Sequence, residues 1–223
     1  MDVSLLDEHV RHWNELGRTI LYLTVGGKLA AGFALEDPPR PEAARVVAAL
    51  RGMGVRRVIM LTGDLDGMAS RTAREIGVSE WVSQALPDDK FNYIKELKKA
   101  GHVVAMVGDG LNDAAALAEA SVGCCMRKGA DMARDAADIV LTDDDLMALP
   151  ALRALATATL GRVQNNFTFI VAINSILLFR ALFGLSSPAL GALLHNSTTI
   201  ATAINAIRPY SLPRILDENK NSV

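Results

Sequence analysis

Residues 102–117 read HVVAMVGDGLNDAAAL. The run HVVAMV is β-rich and unbroken, so it predicts a strand over 102–107. Gly108-Asp109-Gly110 then turns the chain, and a helix over 112–119 follows. Asp109 and Asp113 are thus two carboxylates four residues apart, across a glycine turn that opens a helix. Carboxylate oxygens suit a hard Mg²⁺ ion, and a helix N-terminus attracts anions, so this pattern fits a Mg²⁺ site beside a phosphoryl group. The same residue types also serve as plain turns and caps.

Working outward, two further stretches repeat the theme. Thr62-Gly63-Asp64 ends a strand over 56–62 (RRVIMLT) and precedes a helix over 66–76. A hydroxyl and backbone N–H groups placed there can hold phosphate oxygens. Lys90 follows Pro87-Asp88-Asp89 in the first turn of a helix over 88–100, which Gly101 stops. The helix dipole disfavours a cation at that position, so an anionic partner would explain it. Helix 41–53, strands 81–85, 121–126 and 138–142 complete the series. Strand–helix alternation at this spacing predicts an α/β fold with a doubly wound parallel sheet, whose ligands sit at the carboxyl ends of the strands.

Before this region, residues 1–17 predict a helix from Val3, Leu6, Val10, Trp13 and Leu16. Runs 19–25 and 28–35, joined by Gly26-Gly27, predict a hairpin. After Pro150 the character changes. Residues 145–166 predict a helix ending in Gln164-Asn165-Asn166, and 167–185 (FTFIVAINSILLFRALFGL) are apolar except Asn174 and Arg180. Ser186-Ser187-Pro188 interrupts the run, and 188–207 is a second long stretch of small and apolar residues. Each is about 20 residues, enough to cross a bilayer core. Arg162 before the first and Arg208 and Arg214 after the second predict a transmembrane hairpin with both ends cytosolic. Polar groups on such a span suggest an ion path, which singles out His195, Asn196 and Thr198, whose nitrogen and oxygen donors fit several divalent transition metals; hydrogen bonding between the helices by Ser and Thr is the other use of such residues.

Composition agrees with a soluble domain joined to a membrane hairpin. Half of the 223 residues are hydrophobic but only 5% aromatic, and mean hydropathy is +0.22. The formal net charge of −2 argues against nucleic acid as a partner. Cys124 and Cys125 are the only cysteines and are adjacent, so a disulfide framework is excluded and a reducing compartment expected.

Thr62-Gly63-Asp64, Lys90 and GDGLNDAAAL in this order resemble the haloacid-dehalogenase superfamily. Within it, Asp37-Pro38-Pro39-Arg40 and the stretch LEDPPRPEAARVVAALRGMGVRRVIMLTGD at 35–64 resemble the heavy-metal-transporting P-type ATPases. So does the ending, with His195-Asn196-Ser197-Thr198 and Asn205-Ala206-Ile207-Arg208. The resemblance covers roughly residues 15–210 and implies ATP as substrate, Mg²⁺ as cofactor and an aspartyl-phosphate intermediate. It implies that Asp109, with Asp113 and Asn112, serves Mg²⁺. It also implies that Thr62, Gly63 and Asp64 attend the phosphoryl group, that Lys90 neutralises it, and that Asp37 and Arg40 form the hinge to a nucleotide domain. The family's proline in GDGxNDxPAL is Ala115 here.

The resemblance divides the chain into 1–17 (tail of the nucleotide domain), 18–150 (phosphorylation domain), 151–166 (linking helix), 167–210 (two-span hairpin) and 211–223 (cytosolic tail). The family's Asp-Lys-Thr-Gly-Thr loop does not occur in these 223 residues, so the sheet is expected to lack its nucleophile strand. The chain alone is then expected to be inactive, with membrane lipid and the amino-terminal half of a pump as its partners. A plasma-membrane location with the phosphorylation domain in the cytosol follows. Two alternatives stand: a non-catalytic half-pump or regulatory remnant, and a membrane-anchored phosphatase. In the latter, Asp64-Leu65-Asp66-Gly67-Met68 supplies Asp64 as nucleophile and Asp66 as general acid/base, with Met68 where threonine is usual.

Overall fold

The computed structural model describes residues 7–15, 18–35, 37–108, 111–126, 131–142 and 145–210. The chain divides into two compact units, 1–148 and 149–223. The first begins with α1 (Asp7–Glu15) and an antiparallel pair, β1 (Thr19–Val25) and β2 (Lys28–Leu35). Gly26 and Gly27 both take positive φ, 57° and 77°, the geometry a two-residue hairpin turn demands and a Cβ resists. Val25 pairs with Lys28 across it, and a bulge between Leu23 and Thr24 shifts the register.

An alternating series follows: α2 (Ala43–Gly52), β3 (Ile59–Leu61), α3 (Asp66–Glu75), β4 (Glu80–Val82), α4 (Pro87–Lys99), β5 (Ala105–Gly108), α5 (Ala114–Glu119), β6 (Val122–Met126), α6 (Asp131–Ala136) and β7 (Ile139–Leu141). A 3₁₀ turn at Leu111–Asp113 leads into α5. The strands are parallel, as expected of the α/β class, but they form two sheets: β3–β4, and β5–β6–β7 with β6 in the middle. Among the described residues β3 pairs only with β4, and β5 only with β6, so each sheet keeps an open edge. The strands are also shorter than the apolar runs suggest, because β3 and β4 share only three paired positions. Helix α6 lies in a stretch where no helix was expected; its six residues DMARDA are too few to show a periodicity.

Each sheet has its own core. Val47 of α2, Ala73 of α3 and Val78 pack with Val58, Met60, Ile76 and Trp81 around β3–β4. Leu117 of α5 and Cys125 of β6 pack with Met106 and Ala137 around β5–β7. Burying a side chain such as Leu117 is worth about 2 kcal/mol relative to leaving it in water. Gly123 of β6 lies directly against α5: a Cβ there would sit 2.6 Å from the Leu117 carbonyl oxygen. Lys98 at the end of α4 holds the end of α5, through the Glu119 carboxylate at 3.0 Å and the Glu119 carbonyl.

The second unit holds α7 (Ala148–Leu182) and α8 (Pro188–Ile207). Sequence predicted a helix to 166 and a separate span from 167, but α7 is one helix of 35 residues. Gln164, Asn165 and Asn166 are polar without being helix breakers, so the backbone ladder continues through them. It stops at Gly184 (φ 68°), where Gly184 N–H donates to Ala181 and Leu185 N–H to Arg180. Among the described residues α7 is the one helix long and apolar enough to cross a membrane by length and composition. The second expected span, α8, is 20 residues long, but His195, two asparagines and four hydroxyl residues dilute its apolar character. Among the described residues, polar ties at four places join the pair, one of them from Asn166 Nδ2 to the Thr202 carbonyl at 3.4 Å. Arg162 donates to the Ala206 and Arg208 carbonyls at the end of α8 and stacks on the Tyr210 ring, 3.7 Å from its centroid. Asn205 donates to Asn166 Oδ1 at 2.7 Å, and His195 meets Asn174 at 3.0 Å.

Candidate functional site

The sequence order of Thr62, Lys90 and Asp113 becomes a linked set of loops. Thr62 follows β3, and its N–H donates to Val82 of β4 at 3.0 Å. Its hydroxyl donates to Asp64 Oδ2 at 2.6 Å and accepts from the Asp64 N–H at 3.1 Å. The loop after β4 closes over this turn: Gln84 N–H donates to the Asp64 carbonyl and Ala85 N–H to the Thr62 carbonyl, both at 2.8 Å. Gln84 adopts a left-handed conformation (φ 51°) to do so, an unusual state for a residue with a side chain. A Cβ on Gly63 would meet only the Ala85 carbonyl oxygen at 3.9 Å, an ordinary contact. Among the described residues, nothing else fills the space beside Gly63.

That closing loop runs straight into α4. Asp89 caps it, accepting from the Leu86 N–H at 3.0 Å, and Pro87 opens it. Lys90 then reaches across to the turn after β5, where its Nζ donates to Asp113 Oδ1 at 2.8 Å. The Lys90 side chain is 15% exposed and that of Asp113 12%. The anion expected beside Lys90 is thus a carboxylate of the chain itself. Asp113 sits under β5, where a Cβ on Gly108 would approach its Cβ and Oδ2 to 2.9 Å. Only glycine at 108 leaves room for this carboxylate.

The remaining expected residues fall as follows. Asn112 is exposed in the 3₁₀ turn beside Asp113. Asp109 lies outside the described residues. Asp37 is exposed and Arg40 half-buried, both on the connector from β2 to α2. Thr198 is buried and its hydroxyl donates to the Leu194 carbonyl, whereas Asn196 is exposed. Among the described residues no group of three or more His, Cys, Asp or Glu is close enough together to hold a metal ion. Oxygen donors alone fit Mg²⁺, however, and Asp113 supplies carboxylate oxygens at the end of the 3₁₀ turn, so its chemistry suits that ion.

Sequence reasoning missed several partners. Asp66 Oδ1 accepts from Trp81 Nε1 at 2.9 Å and from Ser83 Oγ at 3.2 Å. It is therefore a structural acceptor that ties α3 to β4. Asp138 accepts from the Gly123 N–H at 2.8 Å, and burial together with this carboxylate pushes the Cys124 thiol upward in pKa. Cys124 and Cys125 are both buried and unbridged.

The model of the haloacid dehalogenase-like hydrolases matches residues 3–121, more than half of the chain. The chain belongs to this family. It is 41% identical over 202 residues to a manganese-exporting P-type ATPase of Mycobacterium leprae, which covers 90% of the chain and 27% of that protein. A zinc-exporting P-type ATPase of Mycobacterium marinum is 40% identical over 202 residues, again 90% of the chain and 28% of that protein. The chain therefore spans little more than a quarter of the length of these relatives. Among solved structures, a zinc-transporting PIB-type ATPase in its E2.Pi state aligns with a TM-score of 0.80 and 31% identity. That alignment covers 93% of the chain and 34% of the larger protein.

Proposed function

We propose that this chain is part of an ATP-driven exporter of a transition-metal cation, a part that carries the phosphoryl-binding loops and two membrane helices. The observation that carries the reading is the Lys90–Asp113 pair, held between α4 and the β5 turn, with the Thr62–Asp64 turn hydrogen-bonded to the loop that starts α4. Phosphoryl transfer asks for positioned charge and donors more than for covalent help. Thr62 and the Gly63 backbone would hold phosphoryl oxygens in the space beside Gly63. Lys90 would neutralise the developing charge, already oriented by Asp113. Asp113, Asp109 and Asn112 would hold Mg²⁺, which when bound shields the phosphoryl oxygens. Asp37 and Arg40 would form the hinge to a nucleotide domain, and His195, Asn196 and Thr198 would meet the transported metal.

The acceptor carboxylate for the phosphoryl group would come from sequence outside these residues, on a strand seated between the open edges of β3 and β5. The similarity over 90% of the chain to metal-exporting P-type ATPases supports this arrangement. A membrane location with the first unit on the cytosolic side follows from it. The phosphatase alternative asks Asp66 to act as acid/base, and its two donors, Trp81 and Ser83, count against that role.

The test is ATP hydrolysis stimulated by Zn²⁺ or Mn²⁺, for the purified chain and for the chain joined to an amino-terminal half containing Asp-Lys-Thr-Gly-Thr. The expected result is turnover only in the joined protein, lost on Lys90→Ala. Turnover by the 223-residue chain alone that vanishes on Asp64→Asn would overturn the reading.

A further inference from the structure

We infer that Asn174 is a positioning residue for His195, holding the imidazole so that its Nε2 presents a lone pair to a divalent transition-metal cation within the α7–α8 hairpin. The inference rests on the metal-transport reading above. His195 Nδ1 lies 3.0 Å from Asn174 Oδ1. A carboxamide oxygen only accepts, so Nδ1 carries the proton, and the neutral ring then has its free electron pair on Nε2. This is how a hydrogen bond to one ring nitrogen decides which nitrogen is the ligand.

The surroundings support a role beyond joining two helices. Asn174 is the eighth residue of the apolar run 167–185, and His195 the eighth of α8, so the pair sits near mid-length of both. Polar groups at that depth are costly and are retained where ions or protons pass. The nearby hydroxyls are already engaged: Ser197 donates to Leu193, Thr198 to Leu194, Thr199 to His195 and Thr202 to Thr198, each four residues back along α8. Their hydrogens are spent within the helix, and none competes for Nε2. Helix register does not depend on Asn174 either, because the Asn166–Asn205 tie lies eight residues, about 12 Å, further along α7. That second tie joins two carboxamides and offers only a carboxamide oxygen, which suits hard cations; the Asn174–His195 tie leaves an imidazole nitrogen, which suits transition metals.

The test uses the full 223-residue chain in lipid nanodiscs, with ¹⁵N-labelled histidine and Zn²⁺ as the probe, because Zn²⁺ accepts imidazole and is diamagnetic. Long-range ¹H–¹⁵N spectra report which ring nitrogen of His195 is protonated, with His195→Ala assigning the signals. Nδ1–H is expected in the parent and in Asn174→Asp, which keeps the acceptor, and a shift toward Nε2–H in Asn174→Leu. Zn²⁺ affinity at the His195-dependent site should fall about 10–100-fold in Asn174→Leu. Asn166→Leu, which removes the ties to Asn205 and Thr202, should leave both readouts near those of the parent. An Nε2–H proton in the parent, unchanged affinity in Asn174→Leu, or an equal loss in Asn166→Leu would overturn the positioning role while leaving metal contact intact. A parent that binds Zn²⁺ no better than His195→Ala would overturn the metal contact and this inference with it.

Discussion

Neutralising either member of the Lys90–Asp113 pair should destabilise the first unit by an amount set by burial. The two side chains are 15% and 12% exposed and their charged atoms are 2.8 Å apart. Lys90→Met leaves the Asp113 carboxylate with little water and no cation, and breaking a buried pair in this way costs about 3 kcal/mol. Asp113→Asn keeps the shape and one acceptor, so about 2 kcal/mol is expected. The double variant strands no charge and should cost no more than the worse single, which makes the coupling about 2 kcal/mol. With an m-value of about 2 kcal/mol/M, Lys90→Met lowers the urea midpoint by about 1.5 M. Trp81 fluorescence in a Trp13→Phe background follows the unfolding of this unit, since Trp81 packs in the β3–β4 core. If the two single effects simply add, Lys90 and Asp113 do not sense each other, and the claim that Asp113 orients Lys90 falls.

Three further outcomes follow from packing and charge. Gly123→Ala puts a Cβ 2.6 Å from the Leu117 carbonyl oxygen, which must move; a loss of about 3 kcal/mol is expected in the same urea experiment, and a loss below about 0.5 would refute the close approach. The Cys124 thiol, pushed up by burial and by Asp138, should resist iodoacetamide at pH 8 in the folded chain and react fully in urea. On the surface, the Arg57 hydrogen bonds hold the Glu80 carboxyl below its usual pKa. That support is present above the ordinary carboxylate range and is lost as pH falls through the folded-state pKa, so Arg57→Ala should flatten the acid limb of the stability curve slightly.

Local chemistry made much of the first unit legible. Gly26-Gly27 announces its hairpin, and Pro87 with Gly101 brackets α4 within a residue or two. The order of Thr62, Lys90 and Asp113 is likewise written in turn and strand signals. What stayed hidden is long-range. Nothing local states that β3 ends its ladder at β4, or that Lys90 finds its anion 23 residues away. Asp66 reads as a free acid because its donors, Trp81 and Ser83, stand 15 and 17 positions on. The hairpin ties did leave a trace: 162 and 208, 166 and 205, and 174 and 195 are each nearly equidistant from the turn at 185. Antiparallel helices pair residues in this mirrored way, and polar residues at mirrored positions in an apolar stretch mark where to look.

The unbroken course of α7 has a mechanical consequence. Its 35 residues make a rod of about 52 Å, whereas a bilayer core is about 30 Å thick. On the proposed placement, roughly 20 Å of the same rod stands outside the hydrocarbon. Pro150 stands in the first turn, where a helix tolerates it, and between Ala151 and Asn174 there is no proline and a single glycine, Gly161, so this stretch contains no joint. A push or twist at its outer end arrives at the depth of Asn174 about as large as it began. In such a part, timing is set where the rod is gripped, and the rod itself adds neither delay nor slack.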